Sequence, residues 1–543
     1  MENHLEKNIE QTLAYHERTK HHYYRYAHAP GYMDWDTQPH PFRFYEGTSS
    51  TQLPFLKDKQ PAKYIELYER SRNHINEFSL KHIGAFLELS MGLSAWKSIS
   101  ETKWALRINP SSGNLHPTEA HLILPDMNEN AGGVFHYDPF HHALERRAEL
   151  SKIVWTEMEG YYKTKGFFIA LSSIYWREAW KYGERAFRYC HHDVGHALAA
   201  LSFSANLRGW KVTYLNTLSD KELRTILGFN QVSWIEHEEE HPDLLCFVHS
   251  HKNSKIPLSF PSETLSYFSD IKFQGTPNQL SKDHLDWDTI GDVSQATLKS
   301  KTEAKTFEWD ANPYFPQEFQ FSAEQVIRQR RSAVAFDGKT TISKSQFLAM
   351  LDKTLPRQQS APFDLGLFDI SIHLLLFVHR VEGMEPGLYF LVRNPNEYNL
   401  LKEKSSSEFQ WKKIHEYLPL YLLKTGDFRQ IAASVSCGQE IAGDSSFSLG
   451  MIARFDKEIK KAPHNYRTLF WETGMIGQVL YLEAEAHAVR GTGIGCFFDD
   501  PVHEILGVND NSYQSLYHFT IGGAVEDIRL MTHPPYHHLE STS

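Results

Sequence analysis

The chain repeats itself once, and this constrains its fold more than any other feature, because a repeat of this length is one domain used twice. Residues 187–229 read FRYCHHDVGHALAALSFSANLRGW and run on to LSDKELRTILGF, while 466–508 read YRTLFWETGMIGQVLYLEAEAHAV and run on to PVHEILGV. Arg188, Gly195 and Ile226-Leu227-Gly228 fall on Arg467, Gly474 and Ile505-Leu506-Gly507 at one constant offset. Further upstream, Gly133-Val-Phe-His-Tyr matches Gly387-Leu-Tyr-Phe-Leu, and apolar runs His121–Leu124 and His373–Val378 precede the two.

Each copy alternates as an α+β domain does. Apolar positions at helical spacing predict helices over 80–92, 193–207, 345–354 and 474–488, and short β-branched or aromatic runs predict the strands between them. The segments 193–207 and 474–488 are apolar nearly all round, so they are expected to be buried, each against the other copy. The expected organisation is an arm over 1–60, a first domain over 61–251, a connector over 252–320 and a second domain over 321–535. Aromatic clusters such as Tyr23-Tyr24 and Pro41-Phe42-Arg43-Phe44 suggest an arm lying over the surface. The connector is rich in Ser, Lys, Thr and Pro and weak in apolar pattern, which predicts local turns at most.

Composition removes several classes of function. The 543 residues are 41% apolar and include twelve tryptophans, ample for two cores and incompatible with disorder. The net charge of −11 is spread along the chain without a basic block, against nucleic acid as the main partner. Cys190, Cys246, Cys437 and Cys496 stand far apart with no CxxC, the pattern of a reduced, cytoplasmic protein. The polar start MENHLEKNIEQ lacks the layout of a secretion signal, and no apolar run approaches 18 residues, so no membrane span is expected. His192-Asp193-Val194-Gly195-His196 puts two imidazoles on one helix face, as zinc sites do. It lacks the glutamate and an obvious third ligand, so a packed helix is the reading and no metal is expected.

Three segments carry chemistry. In Arg107-Ile-Asn-Pro110-Ser111-Ser112-Gly113-Asn114-Leu115-His116-Pro117, Pro and Gly enforce a turn and Ser and Asn offer short polar arms before a strand. Such a loop can approach a flat heterocycle and hydrogen-bond its edge, although alone it is an ordinary turn. Arg328-Gln-Arg330-Arg331-Ser332-Ala-Val334 concentrates guanidinium forks suited to phosphate oxygens, or simply to water. Gly491-Thr492-Gly493-Ile494-Gly495 follows a buried helix and lets the backbone come close to a ligand. It lacks the spacing and the preceding strand of a dinucleotide fingerprint.

Together these segments resemble the nitroreductase superfamily, and within it the SagB/ThcOx-type dehydrogenases. The likeness extends to Tyr15-His-Glu-Arg-Thr-Lys20-His-His, to Asp34-Trp35-Asp36 with Pro41-Phe42-Arg43, and to Lys181-Tyr182-Gly-Glu-Arg185 leading to Gly195-His196. It covers nearly the whole chain outside the connector. It implies two nitroreductase-like domains forming an intramolecular pseudo-dimer, for which a monomer suffices, with FMN at their interface. A basic RRS-type segment and a glycine-containing segment come from one domain and a PSSxN-type loop from the other.

Carried over position by position, the pattern yields one complete site. Pro110, Ser111, Ser112, Gly113 and Asn114 are expected to face Arg330, Arg331, Ser332 and Gly491, Thr492, Gly493, Ile494, Gly495. The late Asp527-Ile528-Arg529 resembles a further family arginine, so Arg529 is a candidate phosphate contact, with solvation the equal alternative. The reciprocal site has lost its parts. Pro362-Phe-Asp-Leu-Gly366 keeps neither Ser nor Asn, Glu69-Arg70-Ser71 places an acid where an arginine belongs, and Val212-Thr-Tyr-Leu-Asn216 replaces the glycines. It is expected to be vacant. Val334 stands where a basic residue is common near the flavin pyrimidine. The resemblance marks Lys181 and Tyr182 as the catalytic pair, since a neighbouring cation favours phenolate; two side chains packed on a helix rim is the plain alternative. The implied activity is hydride transfer at flavin N5, with azoline-to-azole oxidation in a modified peptide as one substrate class. Reduction of nitro, quinone or enone compounds by NAD(P)H is another, and a flavin-binding scaffold without turnover is the alternative of a different kind.

Overall fold

The computed structural model describes residues 2–57, 61–69, 75–127, 131–250, 252, 256–307, 315, 319–366 and 369–540. Each half is built on a seven-stranded antiparallel sheet, and six strands follow the same order in both; the edge strand differs, coming from the arm in the first half and from within the domain in the second. The first runs Ser50–Gln52, Ala143–Glu149, Gly133–Asp138, Thr118–Leu124, Gly166–Ser173, His241–Ser250, Trp210–Tyr214. The second runs Lys412–Lys413, Leu420–Thr425, Gly387–Leu391, Ile372–Val378, Phe447–Arg454, Tyr513–Gly522, Arg490–Ile494. The strands predicted at His121–Leu124 and His373–Val378 are thus the middle strands of the two sheets, and every residue of both is buried.

The helices predicted over 193–207 and 474–488 are Ala186–Asn206 and Asn465–Ala486, which cross at the centre of the molecule. All residues of Ala186–Asn206 are buried, as the all-round apolar pattern requires. The repeat explains the crossing. A Cβ on Gly195 would lie 2.2 Å from the Trp471 carbonyl oxygen, and one on Gly474 would lie 2.1 Å from that of His192. The contacts are reciprocal under the repeat offset, as the two sides of a twofold interface are. A two-domain pseudo-dimer within one chain is the result. The halves also exchange chain: Met531–His533, after the second sheet, pairs antiparallel with Leu93–Ile99 of a first-half hairpin, Leu93–Ile99 with Thr102–Arg107.

Two peripheral segments are more ordered than their composition suggests. The arm begins with a helix, Glu2–Arg18, whose Tyr15 wedges edge-on between Phe187 and Tyr466 of the two central helices. Arg43 is fully buried, donating to the carbonyls of Asn278 and Glu238, so this part of the arm is threaded into the first half rather than laid over it. The stretch 252–320 contains helices Ser262–Asp270 and Asp288–Ala296 rather than turns alone. A few apolar anchors suffice to dock them: Phe260, Phe268 and Phe273 enter the first-half core, and Ile290 and Val293 enter the core shared by both halves. Anchors this sparse leave no periodic trace in sequence.

Candidate active site

The loop after Arg107 is held in an uncommon backbone conformation. Gly113, Asn114 and His116 all have positive φ, at 59°, 60° and 54°. Two side chains hold it there: Ser111 Oγ accepts from the His116 N–H at 2.8 Å and Asn114 Nδ2 donates to the Ala105 carbonyl at 2.9 Å. Left-handed residues outside glycine cost free energy and collect where function requires a fixed shape. Beneath the loop, Asp193 of the central helix accepts from the Ser112 N–H at 3.2 Å and from its hydroxyl at 3.2 Å.

The arginines divide their work. Arg328 is spent on Glu88 at 2.6 Å. Arg330 is buried, with its guanidinium 5.1 Å from the Tyr481 ring centroid and Nη2 donating to the Arg107 carbonyl at 3.0 Å. Arg331 curls onto the carbonyls of Arg328 and Arg330. Ser332 meets the Tyr481 hydroxyl at 2.8 Å, and that hydroxyl accepts from the Gly493 N–H at 2.9 Å, so the basic segment and the glycine strand are locked together. The glycines of that strand make room for rings. A Cβ would lie 1.9 Å from the Tyr517 hydroxyl at Gly493 and 2.4 Å from Tyr189 at Gly495.

These pieces close around a cavity of about 560 Å³ between the halves, within the usual size range of small-molecule sites. Pro110, Ser111, Ser112, Gly113 and Asn114 line it from the first half, and Arg330, Arg331, Ser332, Thr492, Gly493, Ile494 and Gly495 from the second. Tyr182 is on the wall, and so is Val334, which is 78% exposed and brings no charge. Two cations that sequence reasoning missed, Lys97 and Arg490, also line it. Arg490 was legible as the basic residue before the glycines; Lys97 sits on a first-half hairpin and left no signal. Burial, then the charge of Arg330, lowers the Arg331 guanidinium to about 10. Burial, then Arg331, lowers Lys97. Cations that depress one another form a site for an anion. Elsewhere on the wall Arg107 Nε, Asn109 Oδ1 and Arg330 Nε are buried without hydrogen-bond partners. Polar atoms with spare hydrogen-bonding capacity beside a cluster of cations fit a polar ring system with a phosphate such as FMN.

Three expected site residues are not brought to the wall. Gly491 packs against Phe519, and its carbonyl accepts from the Ala333 N–H at 3.1 Å, so it shapes the wall from behind. Arg529 is turned to solvent and clasps Asp527 at 2.7 Å, a pairing two residues apart that consumes its fork locally. Lys181 lies over the Tyr182 ring, 5.3 Å from its centroid, and does not line the cavity. The phenolate expected from that lysine is not supported. Burial first, then the carboxylate of Glu178, raises the Tyr182 hydroxyl well above its ordinary value. Tyr182 is therefore a neutral donor, placed against Gly113, where a Cβ would approach its hydroxyl to 2.6 Å. The titratable group near neutrality is Asp193, which burial raises to about 7 against hydrogen bonds from Ser111 and Ser112. Burial, then Asp193, raises Glu178 as well.

His192 and His196 do face one way, but toward the second half: His192 Nε2 bonds the Leu516 carbonyl at 3.0 Å and His196 Nε2 the Tyr517 hydroxyl at 3.2 Å. At the pseudosymmetric position lies a smaller cleft of about 240 Å³, lined by Tyr214, Asn216, Lys299, Lys305, Lys461 and Glu472 among others. Connector residues form part of its wall, and Glu472, the counterpart of Asp193, is ion-paired with Arg393. Arg70 and Ser71 lie outside the described residues.

Two α+β domains sharing an interfacial cavity with a basic end define an intramolecular pseudo-dimer with a cleft for a small anionic ligand. Comparison with known proteins narrows the class. The nitroreductase family profile matches residues 327–523. A candidate nitroreductase of Methanocaldococcus jannaschii is 30% identical over 191 residues, 34% of this chain and 92% of that relative. A candidate nitroreductase from Anabaena variabilis, solved as a crystal structure, superposes over 95% of this chain and 99% of its own with a TM-score of 0.71 at 21% identity, a likeness of fold. The chain belongs to the nitroreductase family of oxidoreductases. Among the described residues no helix is long and apolar enough to cross a membrane.

Proposed function

We propose that this chain is an FMN-dependent oxidoreductase with one flavin site, assembled from the Pro110–Asn114 loop of the first half and the Arg330–Ser332 and Thr492–Gly495 segments of the second. The observation that carries the reading is the convergence of Lys97, Arg330 and Arg331 on one cavity, beside Arg490, which is also paired with Glu485 and Glu526. FMN, when bound, supplies hydride acceptance and donation at N5. The chain's own residues do the rest. The cations hold the phosphate, with each charge-assisted bond contributing about 1.5–3 kcal/mol. Asn114 and the serines hold the loop against the ring edge. Tyr182 keeps its proton on the phenolic oxygen and donates a hydrogen bond into the cavity. Asp193, poised near neutrality, takes or returns a proton.

A SagB-like dehydrogenation of an azoline ring is favoured by Tyr182 following Lys181 and by Asp193 as a base for the proton that must leave. Reduction of nitro, quinone or enone acceptors with NAD(P)H is the second reading, favoured by Tyr182 as a neutral donor. The substrate is a small molecule or a modified peptide, and the place of action is the cytoplasm. The test is flavin quantitation on purified protein. Heat should release about one FMN per chain, and Arg331→Ala should weaken retention roughly tenfold to a hundredfold. Two flavins per chain, or none after reconstitution, would remove the proposal.

A further inference from the structure

Four widely spaced cysteines look inert in sequence, and Cys190 and Cys246 are indeed buried in the fold. The other two meet. Cys437 lies in the turn after helix Arg429–Val435, at φ 56°, and Cys496 follows strand Arg490–Ile494 on the wall of the cavity. Two ties clamp turn and strand on either side of the sulfurs. The Phe498 N–H donates to the Val435 carbonyl at 2.8 Å, and Gln439 Nε2 donates to the Cys496 carbonyl at 3.1 Å. Between these ties the Cys437 and Cys496 side chains come close enough to perturb one another electrostatically. Both cysteines are partly exposed, so an external reagent has a route to them.

We infer that Cys437 and Cys496 are a reversible thiol–disulfide pair on the wall of the cavity, able to exchange with a small-molecule disulfide such as oxidised glutathione. The surroundings assign the roles. The neighbouring Cys437, then the Arg185 guanidinium, lowers the Cys496 thiol against the opposing effect of burial, whereas Cys496 and burial raise Cys437. Asp499 acts against Arg185 at both sulfurs. The Arg185 Nη2 also donates to the Gly495 carbonyl at 3.2 Å, which keeps the cation beside the nucleophile. A thiolate stabilised this way is the attacking partner in exchange.

The chemistry balances without the flavin. The Cys496 thiolate attacks one sulfur of the external disulfide, that S–S bond breaks, and one glutathione thiolate leaves. Cys437, giving up its proton, attacks the Cys496 sulfur of the mixed disulfide and expels the second. Two cysteine thiols are oxidised to one disulfide, and one external disulfide is reduced to two thiols carrying the two protons. In a reducing compartment such bonds are transient and serve sensing or catalysis. Here the bond would fasten the Gly495–Cys496 end of the cavity wall to the 435–439 turn.

The full-length protein is alkylated under native conditions and weighed intact before and after incubation with oxidised glutathione. Two of the four cysteines should label when reduced. After oxidation neither should label, the mass should fall by two hydrogens, and an unreduced digest should contain a peptide pair joining Cys437 to Cys496. Cys437→Ser should accumulate a glutathione adduct on Cys496, for want of the resolving thiol, and Cys496→Ser should accumulate several-fold less. Full labelling of both cysteines after the oxidant, or Cys437→Ser without the adduct, would overturn the inference. Because no step needs the flavin, a protein prepared without FMN should give the same result.

Discussion

Replacing Gly195 by alanine tests the crossing on which both halves of the cavity depend. The added Cβ would lie 2.2 Å from the Trp471 carbonyl oxygen and 2.9 Å from the Gly474 Cα, both backbone atoms that cannot rotate away. Restoring ordinary contact requires the central helices to separate by about 1 Å, and overpacking of this kind costs about 1–3 kcal/mol. Alanine returns up to about 1 kcal/mol as the better helix former. The clash exceeds that gain, since the whole length of Ala186–Asn206 is buried and neither helix can shift alone. Gly160→Ala and Gly291→Ala are the controls. Both lie in helices, and a Cβ at either would meet nothing within 4 Å. Their propensity gain is unopposed, about 1 kcal/mol at most. In urea unfolding followed by far-UV circular dichroism, Gly195→Ala should move the midpoint down while the two controls leave it level or raise it. Flavin retention should fall for Gly195→Ala only, because Asp193, two residues away, supports the Ser112 loop. A Gly195→Ala protein as stable as Gly160→Ala would refute the reciprocal glycine contact and with it the twofold geometry of the central crossing.

Two further outcomes follow from single side chains. Tyr182→Phe should leave flavin content normal and reduce turnover of a verified substrate by about a hundredfold, the scale of lost acid–base assistance; unchanged turnover would retire its role. Burial opposes the charge of His136, but hydrogen bonds to Glu119 and Glu145 outweigh it and raise the imidazole to about 9. A group raised on folding stabilises fully below its unfolded value near 6.5 and loses that contribution as pH rises through 9. His136→Gln should therefore remove a decline in stability on the order of 3 kcal/mol between those pH values, measured by urea midpoints across pH.

The sequence by itself determined the repeat, the pairing of the two halves, and most of the cavity wall. Those features rest on short-range rules: helical and strand periodicity, glycine where backbones touch, and arginine beside serine at a turn. Gly195 and Gly474 announced themselves because the same steric demand was met twice. What only the tertiary structure decided are relations between residues with no local partner. Lys97 reaches the basic end of the cavity because a hairpin of one half pairs with the tail of the other. Tyr182 keeps its proton because the fold buries it and sets Glu178 and Asp193 nearby, while the lysine next to it in sequence lies over the ring. Arg529 turns to solvent because Asp527, two residues away, takes up its guanidinium. Cys437 and Cys496 meet because two backbone ties, invisible in their spacing, bring a turn and a strand together. Charge and contact depend on distance in space, and a linear sequence encodes that distance only through the fold.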